Sequence, residues 1–347
     1  MGKHFFYLII PVLFSILPAN RLLAQNIGER TFLFTDKARN RPVTTEVWYP
    51  TSDTLTAKDR YQSPFFRTYT VRDGKPVAGK HGLVFISHGA GGGRLTLEWL
   101  ADKLVSAGYI VASVDHYGNT FTYSTPQGFL EPWERPQDIS FSLTELLKDS
   151  VLSPLIDRKR LGMAGFSIGG YTTLALAGAR LNFSALKAYC KSATGQKEIN
   201  LPEFPGLLKF IDDKEIAESF RKSPVLTDRR FNAFLAICPA IGQGFQDGSQ
   251  VKDIRNPVFI IAAEADSIAP SRTNASHYHR MIKTSKFYLF KGKVGHYVFL
   301  NEVRDFTSIG KSVFFTDDPS VSRHDVHEQT AKMTIDFFNA NIGKRSH

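Results

Sequence analysis

A serine hydroxyl becomes a nucleophile when a base removes its proton and an acid orients that base. Three residues of this 347-residue chain are ordered for that chemistry. Ser167 lies in Gly165-Phe166-Ser167-Ile168-Gly169-Gly170, a G-x-S-x-G sequence. It follows the apolar Leu161, Met163 and Ala164 and precedes the helix-like Tyr171–Ala177, the strand-to-helix context of a nucleophile elbow. Gly165 and Gly169 supply clearance for a tight turn, and the hydroxyl projects at a helix N-terminus, where negative charge is favoured. Asp266 follows an apolar run ending at Ala263, and His296 follows the next strand-like run, in the chain order serine, acid, histidine. The chemistry is acyl transfer through an acyl-serine. The developing oxyanion needs N–H donors, for which the backbones of Ile168 and of Ala90 are the candidates.

Each assignment has a rival. Glu264 is the alternative acid, and Asp266 also suits a cap for the helix beginning near Ser271. His296 competes with a reading as a surface-loop histidine. His277 and His279 are two apart on a helix and face different ways, a poor base or metal pair. His324 and His327 share a helix face near Asp325, but the spacing is weak as a metal site. His88 is expected to brace its loop and take no part in chemistry.

These residues need strands to hold them. Leu83–Ile86 is a continuous apolar run, as in a parallel strand buried on both faces. It ends in Ser87-His88-Gly89-Ala90-Gly91-Gly92-Gly93-Arg94, a loop rich enough in glycine for close approach to a ligand. Without G-x-x-x-x-G-K-[ST] or G-x-G-x-x-G, that loop does not read as a phosphate cradle, and no cofactor or metal is expected. Leu95–Ala107 repeats apolar residues at helical spacing, Tyr109–Val114 is the next strand, and Pro136–Leu147 is a helix with proline in its first turn. Phe231–Ile237, Pro257–Ala263 and Lys286–Phe290 continue the strands. Thr273–Ile282 and Asp325–Asn341 read as helices. This alternation predicts an α/β fold with a mostly parallel, doubly wound sheet. Thr31–Phe34 and Val43–Tyr49 suit an antiparallel edge hairpin. Residues 181–228 break the rhythm with Pro202, Pro205 and Pro224. They read as a lid-like insertion over the carboxyl edge, or as packing on a flank.

Composition is that of a globular domain, 42% hydrophobic and 22% charged. Met1–Gln25 has the pattern of an export signal: Lys3, the apolar Phe5–Leu17 and Ala24 before Gln25. That apolar stretch is shorter than a membrane span, so residues 26–347 are expected as one exported domain, periplasmic or secreted, without stable membrane insertion. Loss of Lys3 and Arg21 with the leader takes the net charge from +10 to about +8. The positive residues are scattered, which disfavours nucleic acid as a partner. Cys190 and Cys238 are the only cysteines, and the sequence leaves their pairing open.

Val47-Trp48-Tyr49-Pro50, the 87–92 loop, Gly108-Tyr109 through Asp115-His116, Arg135-Pro136-Gln137-Asp138-Ile139, the elbow and Gly295-His296 together resemble the dienelactone-hydrolase-like bacterial α/β-hydrolases. Those are related to the plasma-type platelet-activating-factor acetylhydrolases. The resemblance runs from about Thr31 to Asn341. It implies an α/β-hydrolase fold with Ser167, Asp266 and His296 as triad and Ala90 and Ile168 as oxyanion hole. Dienelactone hydrolases carry a cysteine nucleophile where this chain has Ser167. The expectation is a serine hydrolase of short-chain acyl, small aromatic or polyester-type carboxylic esters. A serine peptidase or acyltransferase is the rival enzyme, and a noncatalytic ligand-binding homologue is the rival outside catalysis.

Overall fold

The computed structural model describes residues 26–199 and 201–343, so the expected leader Met1–Gln25 lies outside the described residues. The chain opens with β1 (Asn26–Asp36) and β2 (Arg41–Thr51), an antiparallel hairpin in register from Asn26 opposite Thr51 to Asp36 opposite Arg41. It is longer than the sequence predicts and is not the edge. The short β3 (Thr70–Arg72) pairs parallel to β1 outside it. Three residues in a polar stretch carry no periodicity, so β3 is invisible to pattern reading.

The remaining elements alternate. They are β4 (His81–Ser87), α1 (Glu98–Ser106), β5 (Ile110–Val114), α2 (Pro126–Leu130), α3 (Glu134–Leu146), β6 (Ile156–Phe166) and α4 (Ile168–Ala177). After them come α5 (Phe183–Lys191), α6 (Ala193–Glu198), α7 (Lys214–Lys222), β7 (Ala233–Ile237), β8 (Val258–Ala263), α8 (Ala275–Met281), β9 (Ser285–Phe290), α9 (Phe306–Ile309) and α10 (Arg323–Ile342). The strands form one sheet in the order β3-β1-β2-β5-β4-β6-β7-β8-β9, parallel from β5 to β9. Helix α1 begins at Glu98, three residues later than the periodicity from Leu95 suggests, because Leu95–Leu97 form a turn.

Alternate strand residues face opposite layers. Leu83, Phe85, Met163 and Ile260 pack on α3, α4 and α8, with Leu143, Leu174 and Tyr278 in the same buried layer. Val84, Ile86, Leu235 and Ile261 pack on α1 and α10 with Leu100, Leu104 and Phe338. Both faces are thus covered, which is why these strands read as unbroken apolar runs. Residues 183–222 build a smaller cluster of their own, in which Phe183, Leu186, Leu207 and Ile216 pack on Phe129 and Trp133.

The register levels the carboxyl ends of the strands. Ser87 pairs with Gly165, Phe166 with Ile237, and Ala263 with Phe290. The loops after β4, β6, β8 and β9 therefore leave the sheet along one edge, the edge at which open α/β sheets bind ligands.

Acid groups are buried where α1 meets β1. Burial raises the carboxyl of Glu98 to about 8, although Arg67 contacts it, and raises Asp102 to about 6. A carboxyl whose folded-state pKa is raised contributes stability below its unfolded value, 4.5 for Glu98, and that contribution is lost as pH rises through the folded value. Comparing urea midpoints at pH 5.5 and 8.5, we expect Glu98→Gln to lose less stability than the parent on going to pH 8.5, by about 1–3 kcal/mol. Equal losses in the two proteins would show that Glu98 is ionised at both pH values.

Candidate active site

The elbow is a backbone constraint before it is a chemical group. Ser167 has φ 58° and ψ −120°, a conformation L residues rarely adopt. Its N–H donates to Ile237 O at 2.9 Å, and its carbonyl accepts from Gly170, Tyr171 and Ala240. The glycines beside it have no room for a side chain. A Cβ on Gly165 would lie 2.1 Å from Gly169 O, and one on Gly169 would lie 2.0 Å from Ser87 O. Strand β6 and helix α4 therefore pack against each other and against the end of β4 with backbone in contact.

Asp266 and His296 come to this turn from the loops after β8 and β9. His296 Nε2 lies 2.9 Å from Ser167 Oγ, and His296 Nδ1 lies 2.6 Å from Asp266 Oδ2. All three residues are buried. Because a carboxylate only accepts, Nδ1 carries the proton, and Nε2 is left to accept from the serine hydroxyl. Asp266 Oδ1 accepts from the N–H groups of Ile268 (3.0 Å) and Ala269 (2.7 Å). Asp266 thus caps the following turn and holds the histidine at once, and the two rival readings of this residue coexist. Burial would raise its pKa, but His296 and these N–H donors outweigh burial and hold the carboxyl below its ordinary value. Glu264, the alternative acid, points to solvent and accepts from Gly292 N–H and Lys291. The ring of His296 packs on Phe166 at 4.7 Å between centroids.

The glycine-rich loop uses most of its own donors. The N–H groups of Gly91, Gly92, Gly93 and Arg94 go to Asn119, Gly89 O, Thr96 and Asp115. Ala90 N–H and Ile168 N–H donate to no acceptor among the described residues. Both residues, with Ser167, line one cavity. A nest whose N–H groups are already committed cannot cradle a phosphate.

A charged network under the loop fixes its position. Arg135 is fully buried and donates to His88 O and to Ser87 Oγ; burial lowers its pKa to about 9. Ser87 Oγ is 2.9 Å from His116 Nε2, and His116 Nδ1 is 2.9 Å from Asp138 Oδ2. Burial, then Arg135, lowers His116 to about 3, so it is neutral and donates from Nδ1 to Asp138. Asp138 is held well below the usual carboxylate range: burial opposes ionisation, but Arg41, His116 and Arg39 outweigh it. His88 lies in the same place, its Nδ1 toward Gly89 O and its Nε2 accepting from His116 N–H. It braces the loop, as expected.

Other histidines lie elsewhere. His327 stacks on Trp99 at 3.9 Å and bonds Val298 O, while His324 is exposed beside Glu302, so the two do not converge. His277 and His279 bond Phe245 O and Ser285 Oγ respectively. The cysteines are free and buried.

Sequence reasoning missed two residues near the triad. Cys238, at φ 42°, directly follows β7, and its sulfur, an Asp266 oxygen and a His296 nitrogen lie within 4.8 Å of one another. Burial and the neighbouring Asp266 push its thiol pKa up, which keeps it neutral. The only sequence signal was its place one residue beyond a strand at the carboxyl edge. Glu203, from the 181–228 segment, accepts from Tyr297 OH at 2.9 Å and lies against Gly91. It joins that segment to the His296 loop, a contact spanning 94 residues that no local pattern signals.

The cavity beside Ser167 contains about 780 Å³ of space free of protein atoms, its open mouth included. Phe183, Leu186, Ile199, Leu201 and Leu207 of the 181–228 segment form much of its wall, with Phe129 and Leu130 of α2.

Comparison with known proteins agrees with this architecture. A solved ferulic acid esterase from Streptomyces cinnamoneus superposes with a TM-score of 0.59 over 95% of this chain and 94% of its own, at 20% identity. The chain has the α/β-hydrolase fold. Within this fold, residues 66–223, somewhat under half of the chain, match the family model described as PET hydrolase-like. Cutinase 2 of Thermobifida cellulosilytica is 30% identical over 107 residues, which is 30% of this chain and 37% of that protein. A cutinase of Thermobifida fusca is 30% identical over the same length, covering 31% of its chain. The chain thus spans about a third of the length of the curated relatives it matches.

Gly169→Ala should destabilise the protein by about 3 kcal/mol or more, because the added methyl meets main chain that cannot yield. An unfolding midpoint unchanged by this substitution, measured by denaturant titration, would contradict the close packing described for the elbow.

Proposed function

We propose that the protein is an exported serine hydrolase of carboxylic esters. The reading rests on one observation above all: the hydrogen-bonded chain Ser167–His296–Asp266, with contacts of 2.9 and 2.6 Å, beside a cavity that also receives two uncommitted N–H groups. Likeness to a PET hydrolase-like family model, to cutinases and to a ferulic acid esterase supports the same reaction class.

The steps follow from the proton positions. His296 Nε2 takes the hydroxyl proton as Ser167 Oγ adds to the ester carbonyl, and Asp266 stabilises the imidazolium that forms. The N–H groups of Ile168 and Ala90 donate to the oxyanion, each worth about 3 kcal/mol in sites of this kind. Collapse returns the proton from His296 to the departing alkoxide, leaving acyl-Ser167. Water then adds under the same base, and the acid departs as Ser167 regains its proton. The chemistry needs no metal or cofactor.

The 181–228 segment acts here as a cap that roofs the acyl pocket. An apolar, roofed pocket suits an acyl group entering end-on, so short-chain and small aromatic acyl esters fit better than the flat face of a long polymer. The motifs shared with dienelactone-hydrolase-like proteins extend the reading, by analogy with platelet-activating-factor acetylhydrolases, to phospholipids with a short sn-2 acyl group. Export rests on Lys3, Phe5–Leu17 and Ala24. No helix among the described residues is long and apolar enough to cross a membrane.

Hydrolysis of p-nitrophenyl esters of two to eight acyl carbons tests the proposal. The parent should turn over at least one of them, and Ser167→Ala should lose roughly 10⁴-fold or more of kcat. Equal rates for parent and variant would refute a serine mechanism. Asp266→Asn should lose about 10³–10⁴-fold in kcat with its fold intact, whereas Glu264→Gln should stay within a few-fold of the parent. The opposite ranking would assign the acid to Glu264.

A further inference from the structure

One side chain of the 181–228 segment reaches both loops that serve Ser167. Glu203 Oε1 accepts from Tyr297 OH at 2.9 Å, and Tyr297 directly follows His296. The stem of the same glutamate lies on Gly91, which directly follows Ala90. A methyl on Gly91 would stand 3.1 Å from Glu203 Cβ and 3.3 Å from its Cγ. Gly91 is also at φ 60°, so backbone conformation and this contact both call for glycine. Glu203 thus touches the residue after the proposed base and the residue after one proposed oxyanion donor, while lying outside the cavity wall.

The turn that carries His296 is held unevenly. Its far end is tied to the body of the fold: Trp99 Nε1–H donates to Phe299 O at 2.9 Å, His327 Nε2 lies 2.8 Å from Val298 O, and Arg323 donates to Leu300 O and Asn301 O. Beside His296 the side-chain tie is Tyr297. Its ring stands edge to face with the imidazole, 5.3 Å between centroids and 82° between planes, and Phe314 packs on it at 5.0 Å. Burial and the Glu203 carboxyl push the Tyr297 hydroxyl pKa up, so the phenol keeps its proton and donates. Burial also raises the Glu203 carboxyl, against the Tyr297 hydroxyl and His296, and its Oε2 is buried without a partner among the described residues. An acid buried with one oxygen unpaired costs stability, and its place here calls for a functional reason.

We infer that Glu203 is a positioning residue: through Tyr297 it fixes the loop of His296, and through Gly91 the loop of Ala90, holding base and oxyanion donor at the spacing acyl transfer requires. The inference rests on the ester-hydrolase reading and gives the 181–228 segment a part in the chemical step beyond lining the pocket. The residues around Glu203 link it to the cavity, because Leu201 lines the wall and Phe204 packs on the wall residue Phe129 at 5.1 Å. A misplacement of about 1 Å between reacting groups can cost about 10²-fold in rate, so loosening this tie acts on kcat. A charge effect of Glu203 on the imidazolium is the competing account. Glutamine separates the two, since its amide oxygen accepts from Tyr297 OH but carries no charge.

The test measures kcat and KM for the p-nitrophenyl ester that the parent turns over fastest, in Glu203→Ala, Glu203→Gln, Tyr297→Phe and the double variant Glu203→Ala/Tyr297→Phe. Denaturant midpoints recorded alongside restrict the comparison to folded proteins. Glu203→Ala and Tyr297→Phe should each lose about tenfold or more of kcat, with KM within about threefold of the parent. The double variant should be slower than Glu203→Ala by no more than about twofold, because both changes remove one interaction. Glu203→Gln should keep kcat within about threefold of the parent. Folded single variants with parental kcat would overturn the inference, as would losses that multiply in the double variant or a loss confined to KM. Glu203→Gln as slow as Glu203→Ala would overturn it in favour of charge. If Glu203→Ala does not fold, Tyr297→Phe, which removes one oxygen, decides against the same thresholds. In each overturning outcome the parent retains Ser167-dependent hydrolysis and the ester-hydrolase reading stands. A parent without Ser167-dependent hydrolysis would remove both.

Discussion

The rest of the structure is arranged around a strained backbone. Ser167 is held at positive φ because β6 must end and α4 must begin within one residue, with Gly165 and Gly169 in main-chain contact across the turn. Such strain of about 1–3 kcal/mol persists only where the surroundings over-determine it. Here they do. The serine's N–H and carbonyl are tied to β7 and the loop after it, and α4 is buried along its whole length. The turn then presents one hydroxyl at a helix N-terminus, level with the ends of the strands that deliver Ala90, Asp266 and His296.

Charge is handled differently in the two buried networks beside that turn. Under the glycine-rich loop, Asp138 is ionised among arginines, and His116 stays neutral so that it can donate to Asp138 and accept from Ser87. Removing one partner of such a set leaves a buried charge uncompensated, a loss of about 3–5 kcal/mol. This network orients the backbone that carries Ala90. Around Asp266, by contrast, the compensating groups are N–H donors and one imidazole. In the proposed reaction, burial of that pair would strengthen their interaction once the imidazolium forms.

Much of this was legible in the sequence, for physical reasons that differ by element. Strands β4 to β8 are covered on both faces, so their apolar runs have no other explanation. The elbow is legible because only glycine fits where main chains touch, and the order of Ser167, Asp266 and His296 follows from the sheet order. Strand β3 was not legible, since three residues pairing with β1 need no pattern of their own. Glu203 and Cys238 were also hidden. Each acts through a neighbour distant in sequence, and each is an ordinary residue until folding removes its water. The role of the 181–228 segment lay between these cases. Its broken rhythm set it apart from the sheet, but the cavity it lines depends on how Phe183, Leu186 and Leu207 pack on α2.

The central claim is that Ser167 is a nucleophile activated by His296. Incubation with a p-nitrophenyl alkylphosphonate tests it most directly, because the leaving group is released once and the phosphonyl group stays on the attacking atom. The account predicts release of one equivalent of p-nitrophenol and a phosphonyl mass on the peptide bearing Ser167, with labelling slowed by orders of magnitude in His296→Ala. Labelling elsewhere in the chain, or labelling of Ser167 at the same rate without His296, would contradict it.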